Sequence, residues 1–273
     1  MITGCSTGIG RALVRVCREG GWGVVATARR PESLSGLPDG DGIRKIRLDV
    51  TDEASIRAAV QSVEDLHLCA LVNNAGYGQM GPLEALRTSE LRAQFETNVI
   101  GLQTVTNAFL PLLRRAEPGE ARVVHVASVL GRLSIPMAGA YNASKHAVVA
   151  LAETLRLEIG ERIPVILVEP GSIKSEFRAT LKNAWGDLPE RLKDMEGTAY
   201  LAAVDRYVGR QEGFADYHGM SAEDCAKRIF GAMDAERPPR RVVIGADSFW
   251  SQVGKRIVPA PIWDYALRKV FGL

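Results

Sequence analysis

Tyr141 and Lys145 stand four residues apart in Tyr141-Asn142-Ala143-Ser144-Lys145, a spacing that places both on one face of a helix. A free phenol titrates near 10, too high for an efficient general base at neutral pH. A neighbouring ammonium favours the phenolate and lowers that value, so the pair could pass a proton to or from a bound oxygen. Ser128 follows the run Val123 to Ala127 and falls at the C-terminal end of an expected strand, where open α/β sheets bind ligands. Taken singly, Tyr141 fits a half-buried packing residue, Lys145 a surface charge and Ser128 a turn or cap. Their joint spacing is what points to chemistry.

A second group is built for phosphate. Thr3-Gly4-Cys5-Ser6-Thr7-Gly8-Ile9-Gly10 carries glycines that let the backbone approach a pyrophosphate, ahead of a helix N-terminus with free N–H groups. The spacing is GxxxGxG where the usual dinucleotide fingerprint is GxGxxG, and tight turns can look alike; its place at the first strand–helix junction supports the phosphate reading. About 20 residues on, a site for NAD expects an acidic residue at the ribose. Here Ala28 is followed by Arg29 and Arg30, with no acid before Glu32. Two guanidiniums suit a 2′-phosphate, which predicts NADP(H) over NAD(H). A solvated basic loop is the other reading.

These residues need elements to position them. Short runs at Val24–Thr27, Ile46–Leu48, Ala70–Val72, Val123–Val126, Val165–Val168 and Val242–Ile244 read as buried parallel strands. Helical stretches alternate with them: Gly8–Glu19, Thr51–Glu64, Ser89–Arg115, Gly139–Glu161 and Ser221–Ala235, with Thr51 and Ser221 as N-caps. The alternation predicts an α/β, doubly wound parallel sheet with helices on both faces, in one domain over 1–273. Residues 170–220 show no clear strand, and the tail from Asp247 is apolar and aromatic. Of 17 aromatic residues, 11 follow Ala184, which fits a C-terminal cap, a hydrophobic-ligand pocket, or both.

Composition excludes several classes. Thirty-four basic and 32 acidic side chains leave a net charge of +2, without the basic footprint of a nucleic-acid binder. Cys5, Cys17, Cys69 and Cys225 form no CxxC pair and read as small buried hydrophobes of a reducing, cytoplasmic setting. His67, His125, His146 and His218 lack metal-ligand spacing, and His125 reads as a satisfied core side chain. Arg237-Pro238-Pro239-Arg240-Arg241 reads as a solvated turn, with anion contact as the alternative. Thr97–Leu113 is too short and too polar to cross a membrane, which takes about 20 apolar residues.

The motifs together resemble the short-chain dehydrogenase/reductase family: Thr3-Gly4-xxx-Gly8-Ile9-Gly10, Asp49-Val50, Asn73-Asn74-Ala75-Gly76, Asn98, Ser128, Tyr141-xxx-Lys145 and Pro170-Gly171-Ser172-Ile173. The wording around Arg29-Arg30 and Glu169-Pro170 further resembles its hydroxysteroid and retinol dehydrogenase-like branch. The resemblance implies that Tyr141 is the acid/base, that Lys145 tunes it and bonds the nicotinamide ribose, and that Ser128 holds the substrate oxygen. Asn98 would interrupt its helix and retain a relay water. Asp49 and Val50 would meet the adenine, and Asn74, Ala75 and Gly76 the cofactor wall. Pro170, Gly171, Ile173 and Ser175 would surround the carboxamide, with Ser6 and Thr7 in the phosphate loop.

The expected activity is reduction or oxidation of a hydrophobic ketone, aldehyde or alcohol. A nicotinamide-binding sensor or scaffold without turnover is the rival, although such proteins would be expected to lose Tyr141 or Lys145; a nucleotide-sugar epimerase ranks below it. Residues 175–220 would form a substrate lid. The tail 247–273 would serve as a lid or subunit interface, with a membrane surface as the alternative. The resemblance implies a homodimer or homotetramer packed through 89–115 and 139–161. Only Met1-Ile2 precede Thr3-Gly4, so the chain is expected to start inside its first strand, roughly four to six residues late for an ordinary strand.

Overall fold

The computed structural model describes residues 1–38, 40, 42–177, 181, 184–195, 200, 203–204 and 219–273. A parallel sheet runs through the chain in the order β2 (Ile43–Arg47), β1 (Val24–Ala28), the segment around Ile2, β3 (Ala70–Asn73), β4 (Arg122–Val126), β5 (Val165–Pro170) and β8 (Arg241–Ile244). Ile2 joins the two halves. Its N–H donates to Val25 O at 2.9 Å and its carbonyl accepts from Thr27 N at 3.1 Å, while Val72 N donates to Met1 O at 2.8 Å.

Successive side chains of a strand point to opposite faces, and the two cores follow that alternation. Leu71, Val123, Val165 and Leu167 pack with α2 (Glu53–Gln61), α4 (Leu102–Leu113) and α5 (Gly139–Ile159). Val72, Val124, Ile166 and Val168 pack on the other face with α1 (Gly8–Glu19) and α7 (Ala222–Asp234). Strands β1, β3, β4 and β5 are buried throughout, as expected of parallel strands covered on both faces.

Several sequence expectations need correction. The strand expected at Ile46–Leu48 is Ile43–Arg47, half-buried at the sheet edge, with Leu48 beyond it. Helix α2 starts at Glu53, capped by Asp52 Oδ1 on Ala54 N at 2.9 Å, because Asp49 Oδ1 already binds the N–H and hydroxyl of Thr51. Ser221 caps α7 as expected, accepting from Asp224 N at 2.9 Å. The stretch whose pattern reads as one helix over 89–115 is α3 (Thr88–Phe95), a π-helical turn (Glu96–Gly101) and α4, with the interruption at Asn98 that the resemblance implied. Residues 170–220, read as strandless, contain β6 (Ile173–Lys174) paired with β7 (Met220–Ser221), each too short to give a period.

Residues 178–180, 182–183, 196–199, 201–202 and 205–218 of the expected lid lie outside the described residues. The stretch 175–220 includes α6 (Leu188–Lys193), and the tail folds as α8 (Ala246–Ile257) and α9 (Ala260–Phe271). No helix among the described residues is long and apolar enough to cross a membrane.

Candidate active site

Both halves of the site sit at the C-terminal ends of the strands. After the segment around Ile2, helix α1 opens at Gly8 behind Thr7, whose side chain makes no cap. The first-turn amides are therefore left to an incoming anion. Gly4 holds φ +71°, and a Cβ there would lie 2.8 Å from Ala75 Cα. A Cβ on Gly10 would lie 2.5 Å from Asn74 Nδ2. That amide donates to Thr3 O at 2.9 Å and Gly4 O at 3.1 Å, locking the glycine turn to the end of β3. Thr3 Oγ1 completes the lock by accepting from Asn74 N and Ala75 N, each at 2.9 Å. The resemblance assigned Thr3 no role, yet it joins the two loops.

The cradle fits a dinucleotide. Gly4 and Gly10 admit no side chain, the helix behind them offers uncapped amides, and Ser175 lies across from Gly8, its Cβ 3.4 Å from where a Gly8 Cβ would stand. Arg29 and Arg30 are exposed at the end of β1, where guanidiniums can reach a ribose phosphate. Arg29 is close enough to Tyr77 to oppose the rise that burial gives that phenol. Asp49 uses Oδ1 on Thr51, and its other oxygen can accept from an adenine amine.

Beyond β4, Ser128 accepts from Leu130 N at 3.1 Å, which turns the chain into a short 3₁₀ segment. Its hydroxyl lies close enough to the Tyr141 phenol, in the first turn of α5, to oppose the rise that burial gives that group. Lys145 lies on the same face, its Nζ 5.7 Å from the Tyr141 ring centre and donating to Val126 O at 2.9 Å. The three predicted groups therefore converge. Burial dominates their electrostatics: the Lys145 ammonium is pushed down to about 8, and the Tyr141 phenol is pushed up to about 12 against the opposing bond from Ser128. This reverses the lowering expected of the phenol, because a low-dielectric surround disfavours the phenolate.

Asn98 sits in the π turn, fully buried, a kind of irregularity common at functional sites. It reaches the pair only indirectly. Its Oδ1 accepts from Tyr77 N at 3.1 Å, while Nδ2 donates to Tyr77 O at 2.9 Å and Ser144 Oγ at 3.1 Å. Gln94 adds a further tie, donating to Tyr77 O at 2.9 Å and accepting from Gln79 N at 2.6 Å. It is the one buried residue of α3 and it is polar, so no hydrophobic pattern marked it in the sequence.

The segment Pro170-Gly171-Ser172 is braced from α8. Asp247 Oδ2 accepts from Ser172 N at 2.6 Å, and a Gly171 Cβ would lie 2.5 Å from the Asp247 carboxyl carbon. Just before it, the fully buried Glu169 receives Arg132 Nε at 2.8 Å, Arg241 Nε at 2.8 Å and Gln252 Nε2 at 3.3 Å. Arg132 follows Ser128 by four residues, so this clamp ties the serine loop to the end of β5. Sequence reasoning missed Glu169, Arg132 and Asp247, since charges at such separations read as solvated.

Around Tyr141 the surround is apolar: Met80, Ala138, Leu181, Phe177, Trp185 and Phe271 share its cluster, with the Phe177 ring 5.7 Å away. On the adjacent face of α5 lies a cavity of about 630 Å³ walled by Leu83, Ile135, Pro136, Met137 and Leu273, among others. Met137 holds φ +65°, a strained value for a residue with a side chain. Cys5, Cys17 and Cys225 are buried with thiols pushed up to about 12, which makes them unreactive. His125 is a core residue, but only Nδ1 has a partner, Asn73 Nδ2 at 3.2 Å; Nε2 has none among the described residues.

The family model for short chain dehydrogenases matches residues 1–185. Human 17-beta-hydroxysteroid dehydrogenase type 6 is 32% identical over 287 residues, covering 98% of this chain and 87% of that one. The NADPH-dependent 3-dehydrocapnine reductase of Ornithobacterium rhinotracheale is 29% identical, with 99% and 95% covered. A short chain dehydrogenase/reductase from Burkholderia phymatum, solved in complex with NAD, superposes with a TM-score of 0.78 at 28% identity, covering 93% of this chain and 91% of that one.

Proposed function

The chain belongs to the short-chain dehydrogenase family and is an oxidoreductase using a nicotinamide coenzyme; from that premise we propose that it interconverts a hydrophobic ketone or aldehyde and its alcohol, with NADP(H) preferred. The observation that carries the reading is the convergence of the Ser128 hydroxyl, the Tyr141 phenol and the Lys145 ammonium in an apolar, aromatic surround.

Gly4, Ser6, Thr7, Gly8, Ile9 and Gly10 would hold the pyrophosphate on the N-terminus of α1. Arg29 and Arg30 would take the 2′-phosphate, Asp49 and Val50 the adenine, and Asn74, Ala75 and Gly76 the coenzyme wall. Pro170, Gly171, Ile173 and Ser175 would hold the carboxamide end. The bound nicotinamide supplies or accepts a hydride at the substrate carbon. In the reductive direction, Ser128 Oγ holds the carbonyl oxygen and Tyr141 Oη gives it a proton. A phenol raised to about 12 carries that proton at neutral pH, which suits the role of acid. The Ser128 bond and the Lys145 charge then stabilise the phenolate that remains. Lys145 would also bond the nicotinamide ribose, and Asn98 would keep a water in the relay that returns the proton.

The cluster of Met80, Phe177, Leu181 and Trp185, with the neighbouring 630 Å³ cavity, supports an apolar substrate. The hydroxysteroid and NADPH-dependent relatives agree with that class and coenzyme. The chain works as one domain in which residues 175–220 form the lid. Phe271 packs in the Tyr141 cluster, so the tail 247–273 closes the site, and subunits pair through the helices at 89–115 and 139–161. The test follows NADPH absorbance with a panel of steroids, retinal and medium-chain ketones. Turnover of at least one is expected; coenzyme binding without turnover of any would favour the sensor, and NADH matching NADPH in kcat/KM would remove the coenzyme preference.

A further inference from the structure

A second pocket lies away from the coenzyme cradle, between the later half of α5, β5 and the edge strand β8. Arg156, one of its walls, is fifteen residues or roughly 22 Å along α5 from Tyr141. The cavity holds about 180 Å³ and is walled by Arg132, Glu153, Arg156, Arg240 and Arg241. Val165 and Leu167 form an apolar floor. Arg132 pairs with Glu153 at 2.6 Å and Glu169 at 2.8 Å, and Arg241 also pairs with Glu169. Two carboxylates thus offset two guanidiniums. Arg156 and Arg240 have no side-chain hydrogen bond or ion pair among the described residues, so two positive charges are left over at one small cavity.

We propose that this pocket binds a phosphate-type oxyanion. A dianion balances the two unmatched charges, and guanidiniums arriving from α5, β8 and the loop after Ser128 can bond it from several sides. Arg132 and Arg241 are already immobilised by the fully buried Glu169, so little ordering cost remains for them. The apolar floor lowers the local dielectric and strengthens each contact. The proposal does not depend on the coenzyme reading, because it shares no residue with the cradle.

The test is calorimetric titration of the full chain with inorganic phosphate, holding ionic strength constant with chloride and saturating the cradle with NADPH. Wild type is compared with the Arg156→Gln/Arg240→Gln double variant, whose changed side chains have no partner to lose among the described residues. Saturable phosphate binding is expected, weakened about 10-fold or more in the variant, as loss of charged hydrogen bonds implies, with NADPH binding unchanged. A second arm measures sedimentation with phosphatidylglycerol vesicles against phosphatidylcholine vesicles. Vesicle binding lost in the variant, with weak inorganic phosphate binding, would assign the oxyanion to a lipid headgroup. If NADPH itself does not bind, the same wild-type-to-variant comparison without it still decides the pocket. Phosphate and anionic vesicles binding the variant as well as wild type, or neither binding better than its control, overturns the proposal. So does a variant whose only change is its subunit stoichiometry.

Discussion

Replacing Lys145 with Met should stabilise the protein while removing its turnover. Lys145 is 6% exposed, and burial pushes its ammonium down to about 8 from the 10.5 of an ordinary lysine. At about 1.4 kcal/mol per pH unit, holding that charge in place at pH 7 costs folding roughly 3 kcal/mol. Met keeps the unbranched shape and carries no charge. It also gives up the bond from a charged donor to Val126 O, which contributes about 1.5–3 kcal/mol. The net gain is roughly 0–1.5 kcal/mol at pH 7. Its pH dependence identifies the cause. Because the lysine's folded value is lowered, the unfolded wild type binds more protons between about 8 and 10.5, so wild-type stability rises across that window. The advantage of the variant should therefore be largest below pH 8 and fade towards pH 10.5. The raised phenol of Tyr141 acts in the opposite direction above pH 10, but both proteins carry it. Urea denaturation of the coenzyme-free proteins at pH 7, 9 and 10.5 measures this. A variant less stable at every pH, or an advantage that ignores pH, would refute the burial argument.

Gly10→Ala should abolish coenzyme binding, since a Cβ there strikes Asn74 Nδ2 at 2.5 Å; fluorescence titration with NADPH checks it. Arg29→Ala should weaken NADPH by about 10-fold or more and leave NADH nearly unchanged, through loss of a charged bond to phosphate, as read in kcat/KM for each coenzyme. Asp247→Ala should free Ser172 N and lower kcat/KM about 10-fold, with urea stability reporting any general loss of fold. Glu169→Gln should destabilise by about 3–5 kcal/mol, because Arg132 and Arg241 then face a neutral partner in a buried site; denaturation midpoints measure that.

The convergence of Ser128, Tyr141 and Lys145 was legible because it needs only a strand end and an i, i+4 pair, and local spacing fixes both. The glycine loop was legible for the same reason, being contiguous in sequence. What closes the site comes from afar. Asp247 meets Ser172 from 75 residues away, and Arg241 meets Glu169 from 72, separations that no local period encodes. The π turn at Asn98 interrupts a stretch whose polar and apolar residues run on without a break, so composition alone reads one helix. The edge strand Ile43–Arg47 was misplaced because its half-buried residues lack the apolar run of a central strand. The direction of the Tyr141 titration was misread because spacing reveals a neighbouring charge but not the depth at which both groups are buried.

The central claim is that Tyr141 Oη moves the proton, and Tyr141→Phe tests it most directly. The variant keeps the ring that packs on Phe177 and loses only the hydroxyl. Once a substrate is found, NADPH binding and single-turnover oxidation are measured side by side. Binding within about twofold of wild type, with a rate lower by about 10³ or more, is the predicted result. A variant that keeps more than about a tenth of the rate would contradict it, because proton transfer by the phenol is assigned at least a hundredfold of the catalysis.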